Sequence, residues 1–336
     1  MFLHFTQTPR IAPRKLTLNR EPEPLPQLPL ASTSSALAII TVTFNPEIER
    51  FGCQLDALPS DAWVIVVDNA TAHECYRTLE QRITARSKTH LIRNTSNLGL
   101  AKALNQGANY AIGHLQAAQY LLLMDQDSIP FPNAITRLLS AYTELENRGI
   151  PLGCVGPRLL DRATGLQHGF HRGKGWRWSR IYPADTDSAP IECTNLNGSG
   201  TLMKTTLFKE LGGLDDALFI DHVDTEWAFR VLNSGRLLYG IPDARFDHAM
   251  GERSLRFWCL GWRIWPQRTP KRHYYLFRNA VWLMKRSYVP NIWKFWAVAK
   301  LLLTILVHLF GDPQRGQQLR EMFAGLRTGI ASTGHK

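Results

Sequence analysis

From Leu37 onward the chain alternates short apolar runs with longer helical-period stretches, which predicts a parallel sheet joined by helical crossovers. Strands are expected at 37–44, 63–67, 89–93 and 120–124, and helices at 71–86, 99–117 and 132–147. Each expected strand runs into polar residues: Thr43 and Asn45, then Asp68 and Asn69, then Arg93 and Asn94, then Asp125 and Asp127. A parallel sheet sets these four clusters along one edge, where open α/β sheets bind their ligands. Residues 165–190 are Gly-rich, basic and aromatic and read as a loop. Strand character returns over 191–204, around Asn197-Gly198-Ser199-Gly200. Helices are expected at 205–211 and 224–234, strands at 236–240 and 245–249, and mostly helix thereafter. Ahead of Leu37, Pro9, Pro13, Pro22, Pro24, Pro26 and Pro29 predict a disordered segment over 1–35. The expected organisation is that segment, an α/β domain over 36–252, and a helical region over 253–336.

One helical stretch, 292–310, is nearly long enough to cross a bilayer. Its polar residues Lys294, Lys300, Thr304 and His308 fall on one narrow stripe. This predicts a helix lying in a membrane interface or packed on the domain, because mid-span lysines are costly. Charge sharpens the picture. Residues 251–336 carry 15 Lys/Arg against three Asp/Glu, whereas the rest of the chain carries 24 against 25. Six of the ten tryptophans share that basic region, and the mixture suits an anionic membrane surface better than nucleic acid. Met1 to Arg20 lacks the sustained apolar core of a secretory leader. Five scattered cysteines without a C-x-x-C pair give neither a zinc site nor a disulfide framework, as expected of a reducing compartment.

The chemistry lies in the polar clusters. In Y-L-L-L-M-D-Q-D, a strand's period of two sends Asp125 and Asp127 to the same side. Two carboxylates that close repel unless a cation joins them, and hard oxygen ligands suit Mg²⁺ or Mn²⁺, which can grip a diphosphate. Asp68, after W-V-I-V-V, has two roles open: binding a base or ribose, or capping the next helix. Asn94 to Gly107 form a polar turn with Gly99 that opens a small-residue helix. Its first amides favour anions, and Lys102 lies one turn in. In F-I-D-H-V-D-T-E-W-A-F-R, Asp224 is the first choice for a general base in a partly dry pocket and Asp221 the second. Glu226 is set to pair with Arg230 at i+4. His248, in F-D-H-A-M-G, can complete an Asp/His metal site or pack as a core residue.

Taken in order, T-V-T-F-N-P, V-D-N-A-T, N-x-G-x-A-x-A-x-N-x-G, D-Q-D, a downstream acidic cluster and H-x-x-G resemble family 2 nucleotide-sugar glycosyltransferases over about 37–252. The acidic cluster resembles the bacterial rhamnosyltransferase branch of that family. The later H-Y-Y-L-F-R-N fits it too. The resemblance implies an α/β GT-A fold with a Rossmann-like, nucleotide-sugar-binding mixed sheet, an inverting displacement and a divalent cation. It implies that Thr43, Asn45 and Asp68 hold the nucleotide and that Asn97, Gly99 and Lys102 face the nucleotide sugar. Asp125 and Asp127 would hold metal and diphosphate with help from His248, and Asp224 would be the base. It further implies dTDP-L-rhamnose as donor and a saccharide or lipid-linked acceptor for cell-surface polysaccharide, handled on the cytoplasmic face of the membrane. Where the wider family often has E-D, Val223 precedes Asp224, which keeps Asp221 in contention. A nucleotidyltransferase would need a Gly-rich, Arg-containing loop after the first strand, where Thr43-Phe44-Asn45-Pro46 stands. A non-catalytic membrane or nucleic-acid binder would not need acidic clusters at successive strand ends.

Overall fold

The computed structural model describes residues 34–161, 165–248, 254–258, 262–266 and 268–332, with 254–258 and 262–266 described as backbone only. The disordered segment expected at 1–35 lies outside them except for a 3-10 turn at Ser34–Ala36. Gly251 of H-x-x-G and Cys259 also lie outside.

The described strands, in chain order, are β1 (Leu37–Thr43), β2 (Trp63–Asp68), β3 (Thr89–Arg93), β4 (Tyr120–Asp125), β5 (Ser128–Pro130), β6 (Leu152–Leu160), β7 (Gln167–His168), β8 (Phe170–Lys174), β9 (Arg177–Ile181), β10 (Ile191–Cys193), β11 (Thr201–Lys204), β12 (Leu237–His248), β13 (Ser254–Trp258) and β14 (Trp262–Pro266). The helices are α1 (Ile48–Ala57), α2 (His73–Thr84), α3 (Leu100–His114), α4 (Ala134–Asn147), α5 (Thr205–Glu210), α6 (Val223–Asn233), α7 (Pro270–Lys285), α8 (Asn291–Gly311) and α9 (Arg315–Ala331). The main sheet runs β10-β12-β6-β11-β4-β1-β2-β3. Strands β4, β1, β2 and β3 are parallel, and β11 enters antiparallel between β4 and β6. Every residue of β1 is buried, as a central strand covered on both faces requires. Its register pairs Thr43 with Asp68, and Asp68 with Arg93, so the polar strand ends do line one edge.

Small residues seat α3 on this sheet. Ala101, Ala103, Ala108 and Ala111 are buried, and a Cβ on Gly107 would come within 2.5 Å of Ile40 Cγ2. Two expectations need correction, and two elements come in addition to those expected. Helix α1 was not foreseen, since its buried face is short and partly polar. Residues 165–190 are not all loop: β8 and β9 form a hairpin with Trp178 buried in the core. The strands expected at 236–240 and 245–249 are one long β12, whose register against β6 shifts between Ile241 and Arg245. The C-terminal region opens with the β13–β14 hairpin before turning helical.

The C-terminal helices share the core of the sheet domain. Trp282, Leu283, Val289, Ile292, Trp293 and Ala297 belong to the same buried cluster as Ile40 and Leu121. Gly325 and Gly329 let α9 lie close on α7, where a Cβ at Gly325 would meet the Tyr274 carbonyl at 2.3 Å. Lys285 Nζ donates to the carbonyls of Gly329, Ile330 and Ser332 at 2.7–2.9 Å, capping α9 with a positive charge. Asn279, fully buried on α7, donates to the carbonyls of Leu218, Ile220 and Asp221 at 2.7, 2.8 and 2.9 Å. Arg278 adds a bond to Ala217 O at 2.7 Å. Helix α7 therefore fixes the loop before α6. Asn279→Ala should lower stability by about 2–3 kcal/mol through stranded buried carbonyls, read as an earlier urea midpoint; an unchanged midpoint would contradict this role.

Candidate active site

The centre of the site is the turn after β4. Alternation along a strand does not bring Asp125 and Asp127 together, because β4 ends at Asp125 and residues 126–127 turn tightly into β5. The turn does it instead, and α1 holds the turn. Gln54 Nε2 donates to Asp125 O at 2.5 Å and Ser128 O at 2.6 Å. Arg50, one helical turn earlier, donates to Asp127 O at 2.8 Å and pairs with Asp247 at 3.3 Å. Gln126 accepts from the Phe44 amide at 2.8 Å, tying the turn to the end of β1. Strand β12 delivers His248, whose Nδ1 is 2.7 Å from Ser128 Oγ and 3.4 Å from Asp127 Oδ1.

Asp125, Asp127 and His248 each offer a ligand atom within 4.8 Å of the others. Burial pushes Asp125 up to about 6, and Asp127 and Asp224 push further against the pull of His248. Such a group of hard ligands, with carboxylates repelling, fits Mg²⁺ or Mn²⁺. Ser128 Oγ, bonded to Nδ1, helps fix the orientation of the His248 ring beside Asp127.

Asp224 reaches the same cleft from α6. The Asn197–Gly200 turn bridges the two: Asp125 N–H donates to Ser199 Oγ at 3.1 Å, and Gly198 packs on Asp224 Cβ. Burial raises the Asp224 carboxyl above its ordinary range, while amides of Thr225 and Gly198 moderate the shift. Asp221 behaves oppositely. Burial alone would raise it, but Arg268 and Arg272 hold it below the ordinary range, with Arg272 Nε at 3.1 Å. Phe219, Asp221 and His222 all have positive φ, at 64°, 63° and 65°, backbone states that cost energy and cluster where function demands them. Glu226 is buried and pairs with Arg230 at 2.7 Å, Arg286 at 3.0 Å and Tyr288 OH at 2.6 Å. It is structural, as its spacing predicted.

Along the donor edge the predicted residues divide. Asn45, Asn97 and Lys102 are exposed at the strand mouths. Thr43 and Asp68 are fully buried, with Thr43 Oγ1 donating to one Asp68 oxygen at 3.1 Å and the Thr71 amide to the other at 3.2 Å. Here Asp68 fastens the loop after β2 rather than capping α2, whose N-cap Ala72 receives no side-chain bond. Gly99 is buried at φ 87°, and a Cβ there would strike the Phe219 ring at 2.5 Å. The Leu100 amide donates to Phe219 O at 2.6 Å, so the first donor of α3 is taken by protein rather than left for an anion. Asn69 is the hub missed from the sequence. It donates to Asn97 Oδ1 at 2.8 Å and accepts from the Leu98 amide at 2.9 Å and from Asn94 at 3.2 Å.

The profile described as glycosyl transferase family 2 matches residues 39–212, more than half of the chain. The chain belongs to that family. This glycosyltransferase is 33% identical over 270 residues to dTDP-rhamnosyl transferase RfbF of Shigella flexneri, covering 76% of this chain and 82% of that one. It is 23% identical over 242 residues to the N-acetylglucosaminyl-diphospho-decaprenol L-rhamnosyltransferase of Mycobacterium tuberculosis, covering 64% and 76%. In fold it matches mannosyltransferase PcManGT from Pyrobaculum calidifontis, solved with GDP-Man and Mn²⁺, at TM-score 0.51 and 17% identity over 89% of this chain and 86% of that one. The glycosyltransferase fold is thus GT-A, with a helical C-terminal region built onto it. Family membership sets aside the nucleotidyltransferase and the non-catalytic binder.

The residues that sequence reasoning missed in this glycosyltransferase act on the backbone or on other side chains. Gln54, Arg50, Asn69, Arg268 and Arg272 never form a local acidic or Gly-rich motif. The one available signal was Arg50 and Gln54 at i,i+4 in an unforeseen helix.

Proposed function

We propose that this glycosyltransferase moves L-rhamnose from dTDP-L-rhamnose to a hydroxyl of a lipid-linked saccharide, inverting the anomeric centre, in cell-surface polysaccharide assembly. The observation that carries the donor is the 33% identity to an enzyme named dTDP-rhamnosyl transferase over most of both chains. The acceptor reading draws on the M. tuberculosis relative, whose name specifies a saccharide on diphospho-decaprenol.

Asp125, Asp127 and His248 would hold Mg²⁺ or Mn²⁺. Bound there, the ion supplies Lewis-acid neutralisation of the charge on the departing diphosphate. Exposed Asn45, Asn97 and Lys102 orient the nucleotide sugar at the strand mouths. Asp224 accepts the proton of the attacking hydroxyl, and its raised pKa makes it a better base than an ordinary carboxylate. Asp221 positions the loop through Arg268 and Arg272, which suits it poorly to proton transfer. Attack from the face opposite the diphosphate inverts the centre in one displacement, with no protein nucleophile.

Helix α8 supports attachment to a membrane. Asn291–Gly311 is apolar and long enough to cross one by length and composition, yet the C-terminal half of its polar stripe faces inward while Lys300 is exposed. Thr304 and His308 are buried, and His308 Nδ1 is 2.7 Å from Asp312. Phe295, Val298, Leu302, Leu306 and Phe310 are exposed instead, spaced three or four residues apart on one face. A stripe of that kind on a basic region suits a helix lying in an anionic lipid surface.

Asp224→Asn should cut turnover of dTDP-L-rhamnose by about 10²–10⁴-fold with dTDP affinity retained. The wild-type rate should fall as pH drops through the raised Asp224 pKa, because the protonated carboxyl cannot accept a proton. Retained turnover in the variant would refute Asp224 as base. Separately, wild type should co-sediment with anionic phospholipid vesicles, and the Leu302→Glu/Phe310→Glu variant should stay in the supernatant. Equal sedimentation of the two would refute attachment through α8.

A further inference from the structure

A second group of charges lies beyond Asp224, on the side away from the Asp125–Asp127 turn. An aromatic series ties its walls together. Trp178 on β9 is 6.4 Å from Phe229 on α6, and Phe229 is 5.7 Å from Trp293 on α8. Trp293 lies 5.5 Å from His222, and Trp178 lies 5.8 Å from His171 on β8. The β8–β9 hairpin, α8 and the 221–224 loop therefore pack against one another.

Two cations, Arg180 and Lys300, come near each other where these elements meet. Lys300 on α8 lies within electrostatic range of Arg180, Arg268, Asp221 and Asp224. Asp221 is already claimed by Arg268 and Arg272. Among the described residues, neither Arg180 nor Lys300 donates a hydrogen bond or forms an ion pair, and Arg180 Nε is buried without a partner. Lys300 is accessible to water yet enclosed enough for burial, then Arg268 and Arg180, to pull it down to about 8. Two further buried polar atoms, His222 Nε2 and Asn195 Oδ1, also lack partners, and Asn195 lies beside Thr225, to which it donates at 3.3 Å. Buried donors and acceptors are normally satisfied, so orphans gathered around this junction point to a missing polar ligand.

We propose that Arg180 and Lys300 form an anion site on the acceptor side of Asp224 that grips a phosphate of the lipid-linked acceptor. The proposal rests on the glycosyltransferase reading above and deepens it. An Arg and a Lys with free donors suit a phosphate group, which offers several acceptor oxygens. The same helix that carries Lys300 exposes the apolar stripe, so an amphiphile lying along α8 brings its anionic head to these two cations and its chain to the lipid side.

The test uses the full chain saturated with Mn²⁺ and dTDP, which blocks the donor side, titrated calorimetrically with farnesyl diphosphate, pyrophosphate and farnesol. Failure to bind dTDP would count against the donor reading and not against this site. The expected result is that farnesyl diphosphate binds at least 10-fold more tightly than farnesol. That preference should vanish in Arg180→Ala/Lys300→Ala and persist in Arg180→Lys/Lys300→Arg. Farnesyl diphosphate binding more tightly than pyrophosphate assigns the site to a lipid-linked phosphate. Equal binding keeps the anion site but assigns it to free phosphate. Farnesol binding as tightly as farnesyl diphosphate, or an alanine variant with undiminished preference, would overturn the proposal. The comparison of the three probes on wild type decides the matter even if the variants fail to fold.

Discussion

Like charge held in a confined cleft governs this molecule. Asp125, Asp127 and Asp224 converge from a turn and a helix start, and Asp125 feels both of the others. Uncompensated carboxylates in such a place would drive the segments apart unless the backbone were held independently of them. That is how the surroundings are built. Gln54 and Arg50 grip the 125–128 backbone, Ser199 takes the Asp125 amide, and Asn69 ties together the neighbouring strand ends. The scaffold does not need the carboxylates to hold its shape, so they are free to serve a cation.

The same constraint explains the C-terminal helices. A charge-rich loop with three left-handed residues would not keep its shape alone. Asn279 and Arg278 clamp its carbonyls, Arg286 pairs with both Asp215 and Glu226, and Arg268 with Arg272 neutralises Asp221. What sequence position divides into a catalytic domain and an extension is, in packing terms, one core. Part of the basic character of this region is spent inside the protein, in ion pairs with Asp215, Asp221 and Glu226.

Much of this was legible in the sequence, for identifiable reasons. Strands β1, β2 and β4 announce themselves as apolar runs because a central parallel strand is buried on both faces, whereas β3 stands half-buried at the sheet edge. Their polar ends follow from where such sheets bind ligands. Asp125, Asp127 and His248 were grouped correctly, although the tight turn rather than strand alternation joins the two carboxylates. The choice between Asp221 and Asp224 could not be read locally, because the arginines that claim Asp221 lie 47 and 51 residues downstream. Asp68 looked equally fit for ligand and cap, and only its burial beneath Thr43 and Thr71 reveals its present role. The burial of Thr304 and His308 on α8 was hidden as well: their stripe was visible, but the side on which the protein would lie was not.

The account stands or falls on where a divalent cation sits. Crystals of the full chain grown with Mn²⁺ and dTDP, measured at the manganese absorption edge, address this directly. The account predicts one strong anomalous peak coordinated by Asp125, Asp127 and His248 and touching the diphosphate. A peak at other side chains, or dTDP bound at the strand mouths with no manganese between it and this turn, would contradict it.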